Sequence, residues 1–209
     1  ILNTMRILKI CILSCFVIIA FAIQIKAQIS KDWSRSYDPG DTHNQGANDV
    51  ATDESGSVYV LGYTSRGYNG TDVALAKYDA DGNFKWAKSY DGLNENNSDI
   101  GKSLTTFKSA NNIFIYTASD ISISGYGNYA GIAKYDSSGN LHWAKNYQVG
   151  INAKVQILRT DITGNIYIAG GTGATPFLIK MTSAGDTSWV RYLPVPAGYV
   201  NSVTNDIAI

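Results

Sequence analysis

The chain holds two histidines, its only side chains that ordinarily titrate near neutral pH. His43 lies in Asp38-Pro-Gly-Asp41-Thr-His43-Asn-Gln-Gly46, beside two carboxylates. That mixture could bind a metal ion or move a proton. No nucleophile motif accompanies it, so the competing reading is a polar surface loop. His142 shares a repeat column with Lys85 and Ser188 and is expected at a solvated strand position. Asp79-Ala-Asp81-Gly82-Asn83 opens like a calcium loop. The sister segments Asp136-Ser-Ser-Gly139-Asn140 and Thr182-Ser-Ala-Gly185-Asp186 lack most of those carboxylates, and no bidentate glutamate follows. A glycine turn is the expectation there. No catalytic residue, no metal site and no cofactor is predicted, calcium being the one candidate ion.

The same segments belong to a longer repeated phrase. Lys77, Gly82 and Trp86 recur as Lys134, Gly139 and Trp143, and as Lys180, Gly185 and Trp189, always spaced Lys-x4-Gly-x3-Trp. With Trp33 the tryptophans fall at intervals of 53, 57 and 46 residues. A period of that length marks one supersecondary unit used repeatedly. The tryptophans could form an aromatic sugar platform. Recurrence at one place in every unit points instead to packing between units, since each junction needs the same large filler. The lysines are candidates for cation–π contacts worth about 0.5–1 kcal/mol when exposed.

Each unit reads as four strands separated by turns. Strands are expected at residues 48–52, 57–63, 73–78 and 84–90 in the first unit. The second has 102–107, 113–117, 131–135 and 141–147; the third has 155–160, 165–169, 177–181 and 187–192. No sustained helical period of apolar residues occurs outside the first 27 residues. Four antiparallel strands per repeat of this length predict an all-β fold of propeller blades, at about 48–90, 102–147 and 155–192. Trp33-Ser-Arg-Ser-Tyr37 matches Trp86-Ala-Lys-Ser-Tyr90 and is expected as a lone fourth strand at 33–37. Asn205-Asp-Ile-Ala208 echoes Asn48-Asp-Val-Ala51 and predicts a lone first strand at 203–209. Residues 28–209 are therefore expected to be an incomplete propeller with open sheet edges.

Loop lengths separate the two ends of the units. Connections between first and second strands, and between third and fourth, are short turns. The others are longer and rich in Asn, Asp, Gly and Tyr: 38–47, 65–72, 91–101, 119–128, 148–154 and 194–203. Long loops on one rigid face are where binding concentrates, and tyrosine with small polar residues suits adaptable recognition. The candidate ligand residues are Asp41, His43, Tyr68, Asn69, Asp72, Tyr126, Asn128 and Tyr129; the alternative is that these segments are spacers.

Residues 1–4 read as upstream sequence before Met5. Arg6 and Lys9 precede an apolar run at 10–23 broken only by Ser14, and Ala27 then precedes Gln28. This is the pattern of a secretory signal peptide at 5–27, with an apolar helix. The run is shorter than the roughly 20 residues that cross a bilayer, so no membrane span is expected after cleavage. An uncleaved membrane anchor and a lipoprotein signal at Cys15 are the other readings. Both cysteines, Cys11 and Cys15, fall in this stretch, leaving the rest without thiol chemistry. Net charge is zero overall, and residues after 27 carry a slight acidic excess. No basic patch argues for nucleic acid.

The units resemble SBBP-type β-propeller repeats of secreted bacterial proteins. The resemblance lies in Asp53-Glu-Ser-Gly-Ser-Val-Tyr-Val-Leu-Gly-Tyr-Thr64, in Asp161-Ile-Thr-Gly-Asn-Ile-Tyr-Ile-Ala-Gly170 and in the Ala-Lys-Tyr-Asp-x-x-Gly-Asn-x-x-Trp phrases. It covers roughly residues 33–209, and the second unit departs at Lys108-Ser-Ala-Asn-Asn112. It implies an extracellular location with binding or cell-surface roles and no defined catalytic residues. A carbohydrate or a surface protein is the expected partner. Two alternatives stand beside it. Asp79-x2-Gly82-x3-Trp86 is similar to the tryptophan-docking motif of PQQ-dependent dehydrogenases, with the Asp-to-Gly interval one residue short. A non-catalytic assembly scaffold is the other.

Overall fold

The computed structural model describes residues 33–35, 44–65, 70–92, 97–173, 175–195, 204 and 206–209. The chain divides into two units, 1–34 and 35–209. Only Trp33 and Ser34 of the first are described, so the expected signal segment lies outside the described residues. Among the described residues no helix is long and apolar enough to cross a membrane.

The described residues of 35–209 contain twelve strands: β1 (Gln45–Thr52), β2 (Val58–Ser65), β3 (Thr71–Tyr78), β4 (Phe84–Tyr90), β5 (Ile100–Ser109), β6 (Asn112–Ile123), β7 (Gly127–Asp136), β8 (Leu141–Tyr147), β9 (Lys154–Thr160), β10 (Ile166–Gly171), β11 (Pro176–Met181) and β12 (Thr187–Tyr192). They form three four-stranded antiparallel meanders, β1–β4, β5–β8 and β9–β12. These are the twelve strands expected in the three repeats. The described parts of the two flanking strands differ from expectation: residues 33–35 and 204, 206–209 lie in no strand.

The short turns share one chemistry. In four of them an aspartate opens the turn, and its Oδ1 accepts the backbone N–H groups two and four residues on. Asp53 serves Ser55 and Ser57, Asp79 serves Asp81 and Asn83, Asp136 serves Ser138 and Asn140, and Asp161 serves Thr163 and Asn165. Thr182 Oγ1 does part of this work for Asp186. The fourth residue is always a glycine at φ between 76 and 86°, the left-handed region that only glycine enters at little cost. Lys108-Ser-Ala-Asn-Asn112 lacks both residues; it closes with Ser109 opposite Asn112 and forces Ala110 to φ 52°.

Bulges recur too. One extra residue sits in the first strand of every sheet, at Asn48, Lys102 and Gln156, and another in the fourth, at Lys85, His142 and Ser188. Each increases local twist and re-aims the flanking side chains. They are not visible as a strand pattern in the sequence, because a bulge is defined by the partner strand.

The sheets stand in a row, with β5 beside both β1 and β9. The core occupies the two gaps. Tyr59, Leu61, Val73, Leu75, Leu104, Ile115, Ile121, Ala133 and Tyr135 fill the first. Tyr116, Ile132, Val155, Leu158, Ile166, Ile168, Phe177, Ile179 and Met181 are among those filling the second. Each fully buried aliphatic or aromatic side chain stabilises by about 1.5–3 kcal/mol.

Candidate functional site

The lysine, glycine and tryptophan columns meet at the sheet junctions. Trp86 Nε1 and Lys77 Nζ both donate to Ser137 O, at 3.2 and 3.0 Å, in the β7–β8 turn of the next sheet. The indole lies against Gly139, where an added Cβ would fall 3.0 Å from Trp86 Cδ2. At the second junction Lys134 Nζ donates to Ser183 O at 3.2 Å, and Trp143 lies against Gly185 in the same way. The lysines also cover aromatic rings: Lys77 lies 5.1 Å from the Tyr59 centroid, Lys134 4.0 Å from Phe114, and Lys180 5.1 Å from Tyr167. Burial lowers the Lys134 ammonium pKa. Trp189 has Tyr167 as its ring neighbour at 6.5 Å and Arg191 over it at 5.5 Å. Gly82 adopts φ 76° and is buried.

The opposite ends of the strands carry the candidate ligand residues. Asp41, His43, Tyr68 and Asn69 lie outside the described residues. The expected loop at 119–128 is not a loop. β6 runs to Ile123 and β7 starts at Gly127, so only Ser124, Gly125 and Tyr126 turn the chain. The strands lengthen because the ladder continues unbroken from Asp120↔Ala130 to Ile123↔Gly127. Asn128 and Tyr129 are therefore strand residues. Asn128 O accepts the Ala153 N–H at 3.2 Å, and Tyr129 packs onto the core between the first two sheets. Asp72 is a strand residue as well, 5% exposed on β3. Tyr126 alone of the described candidates projects from the tip, 65% exposed.

A residue absent from the sequence-based candidates organises this end. Asp99 is 1% exposed. Its Oδ2 accepts the Gly92 N–H at 2.6 Å and its Oδ1 the Ser122 N–H at 2.9 Å. Its own backbone N–H donates to Thr71 O at 2.7 Å, and Thr71 Oγ1 donates to Asp99 O at 3.1 Å. One aspartate thus ties the connection after β4 to β3 in one sheet and β6 in the next. Burial raises its pKa, two N–H groups oppose that, and the charges of Asp91 and Asp72 add to the rise. Asp120, 3% exposed, fastens the next junction through Val155 N at 2.7 Å, with Lys102 and Lys154 at 3.9 and 4.0 Å. Burial raises its pKa as well, against that hydrogen bond and the two lysines. Asp49 Oδ2 joins β1 to β5 through Ser103 Oγ and Leu104 N, at 3.0 and 2.8 Å. The local sequence around Asp99 carries no motif. The one readable signal is its column, which holds Ala153 before β9, since both residues lie beside the start of the preceding third strand.

These carboxylates act as acceptors for backbone N–H groups, which fixes connections rather than performing chemistry. Asp79 is committed similarly: Asn83 Nδ2 and Lys85 Nζ occupy its Oδ2 at 3.1 and 2.7 Å. A calcium ion there would have to displace its own chain's donors. Among the described residues no group of three His, Cys, Asp or Glu side chains is placed to hold a metal ion. His142 sits at its bulge with Nε2 3.6 Å from Asp136 and its ring edge-on to Phe114 at 5.5 Å.

No model of a known protein family matches the chain, and no curated protein matches it.

Proposed function

We propose that the three sheets are consecutive blades of a β-propeller, and that this module binds through the Tyr126 end rather than catalysing a reaction. The ligand we infer is a carbohydrate or surface protein, met outside the cell or at its surface as the signal-like N-terminus suggests. The observation that carries the reading is Tyr126. It is a large, amphipathic ring presented on a three-residue turn between long, paired strands, and it is 65% exposed. A rigid strand pair presenting an exposed tyrosine loses little entropy on binding. The row of first strands β1, β5 and β9, each beside the next, supports the propeller arrangement.

The test is titration calorimetry of the chain against a panel of neutral and acidic glycans and surface polymers. Tyr126→Ala should abolish the heat of a glycan that binds, and Tyr126→Phe should retain most of it. A ligand that binds equally to all three proteins would overturn the assignment of this end.

A further inference from the structure

The two junctions inside the chain define what a junction requires, and the third sheet presents the same half of it outward. In the first two sheets Tyr59 and Tyr116 are 0% exposed, and Leu75 and Ile132 are 1% exposed, because the next sheet covers them. Strand register places Tyr167 and Leu178 in those columns. Both remain only half-buried. Beside them stand Lys180 and Trp189, matching Lys77 with Trp86 and Lys134 with Trp143. Arg191 matches Lys145, whose Nζ reaches forward to Gly185 O. Arg191 lies over Trp189, as Lys145 lies over Trp143, but donates to Val190 O at 3.0 Å.

We propose that this face of the third sheet is a docking surface for a further four-stranded antiparallel sheet of the same repeat. That sheet would be gripped through the glycine and the preceding carbonyl of its third-to-fourth-strand turn. The twice-made junction specifies this occupant: Lys180 needs a backbone carbonyl where Ser137 and Ser183 supply one, and Trp189 needs a glycine where Gly139 and Gly185 stand. The place of its first strand is marked on the same side. Asp206 Oδ1 lies 3.5 Å from Arg159 Nη2 on β9 and accepts the Ile207 N–H at 2.8 Å, as Asp49 accepts the Val50 N–H at 2.9 Å. The inference rests on the row of sheets and is independent of what Tyr126 binds.

The test uses the whole chain with Trp33, Trp86 and Trp143 changed to Phe, so that Trp189 alone fluoresces. A second protein extends this chain from Ile209 with a copy of residues 53–92, its tryptophan also changed to Phe, which follows the phrase Asn205-Asp-Ile-Ala208 with the rest of one repeat. Acrylamide should quench Trp189 readily in the first protein and several-fold less in the second. Leu in place of the appended turn glycine should restore quenching. Equal quenching in both proteins would overturn the proposal. So would shielding of Trp189 in the unextended chain that grows with concentration and tracks dimer in sedimentation, since a second copy would then be the occupant. Should the extended chain not fold, Leu178→Asp in the 209-residue chain still decides. An open face tolerates it with no loss of melting temperature, whereas Ile132→Asp unfolds the protein. Unfolding by Leu178→Asp would show that the face is already covered.

Discussion

The phenol of Tyr59 donates to Asp53 Oδ2 at 2.9 Å, and in the same column Tyr167 donates to Asp161 Oδ2 at 3.2 Å. Tyr116, also in that column, is fully buried with its hydroxyl unpartnered. The difference originates in the preceding turn, where Lys108-Ser-Ala-Asn-Asn112 omits the aspartate that lies six residues before the tyrosine in the other two. Tyr59→Phe should therefore cost about 1.5–3 kcal/mol, the worth of a hydrogen bond to a charged acceptor. Tyr116→Phe should be neutral or stabilising, because it removes a buried orphan hydroxyl. Urea unfolding of the two variants measures the contrast, and equal losses would refute it.

Ala110 carries φ 52° in that same departing turn. A side chain in the left-handed region costs about 1 kcal/mol relative to glycine. Ala110→Gly should raise the urea midpoint accordingly, with an unchanged m-value.

Gly139 and Gly125 have nearly the same φ, 83 and 81°. An added Cβ meets Trp86 and Lys88 at the first and nothing within 4 Å at the second. Gly125→Ala should cost only the backbone strain of about 1 kcal/mol. Gly139→Ala should cost more and shift Trp86 fluorescence, because the indole must leave its seat on the neighbouring sheet. Equal costs would mean that the tryptophan is not held at the junction.

Two sets of aspartates give opposite pH dependence. The pKa of Asp79 is held below the usual carboxylate range first by Lys85 and then by Asn83. At Asp161 partial burial raises the pKa, but bonds from Thr163 and Asn165 outweigh it and leave it lowered. The stability these two contribute is present above the unfolded value near 3.8 and is lost as pH falls through the folded values. Asp99 and Asp120 are raised, chiefly by burial, so their contribution is greatest below that unfolded value and is lost as pH rises through the folded ones. Asp79→Asn should flatten the acid limb of stability measured between pH 2 and 5. Asp99→Asn should cost most at low pH, the deficit shrinking as pH rises. A deficit that grows with pH would reverse the assignment for Asp99.

Much of the architecture was legible in the chain itself, for a local reason. An Asp-x-x-Gly-Asn turn is made by donors and acceptors within five residues, and Val58 to Tyr63 alternate and branch as strands do, so strand number and order per unit could be read directly. The Lys-x4-Gly-x3-Trp spacing likewise marked a repeat before any contact was known. What could not be read is non-local. The β6–β7 hairpin extends through 119–128 because Ser119–Ile123 pairs with Gly127–Gly131, and the Gly- and Asn-rich partner segment does not announce that pairing. Asp99 looks like any loop aspartate until Gly92, Thr71 and Ser122 converge on it from two sheets.

The sequence by itself determined three repeats of four strands and the turns between them, because side-chain alternation and Asx–Gly turn chemistry act over a few residues. Only the tertiary structure decided which aspartates became buried fasteners, where the bulges fell, and that Tyr126 rather than Asn128 or Tyr129 faces solvent. Those outcomes depend on which backbone N–H groups and which faces distant strands bring together.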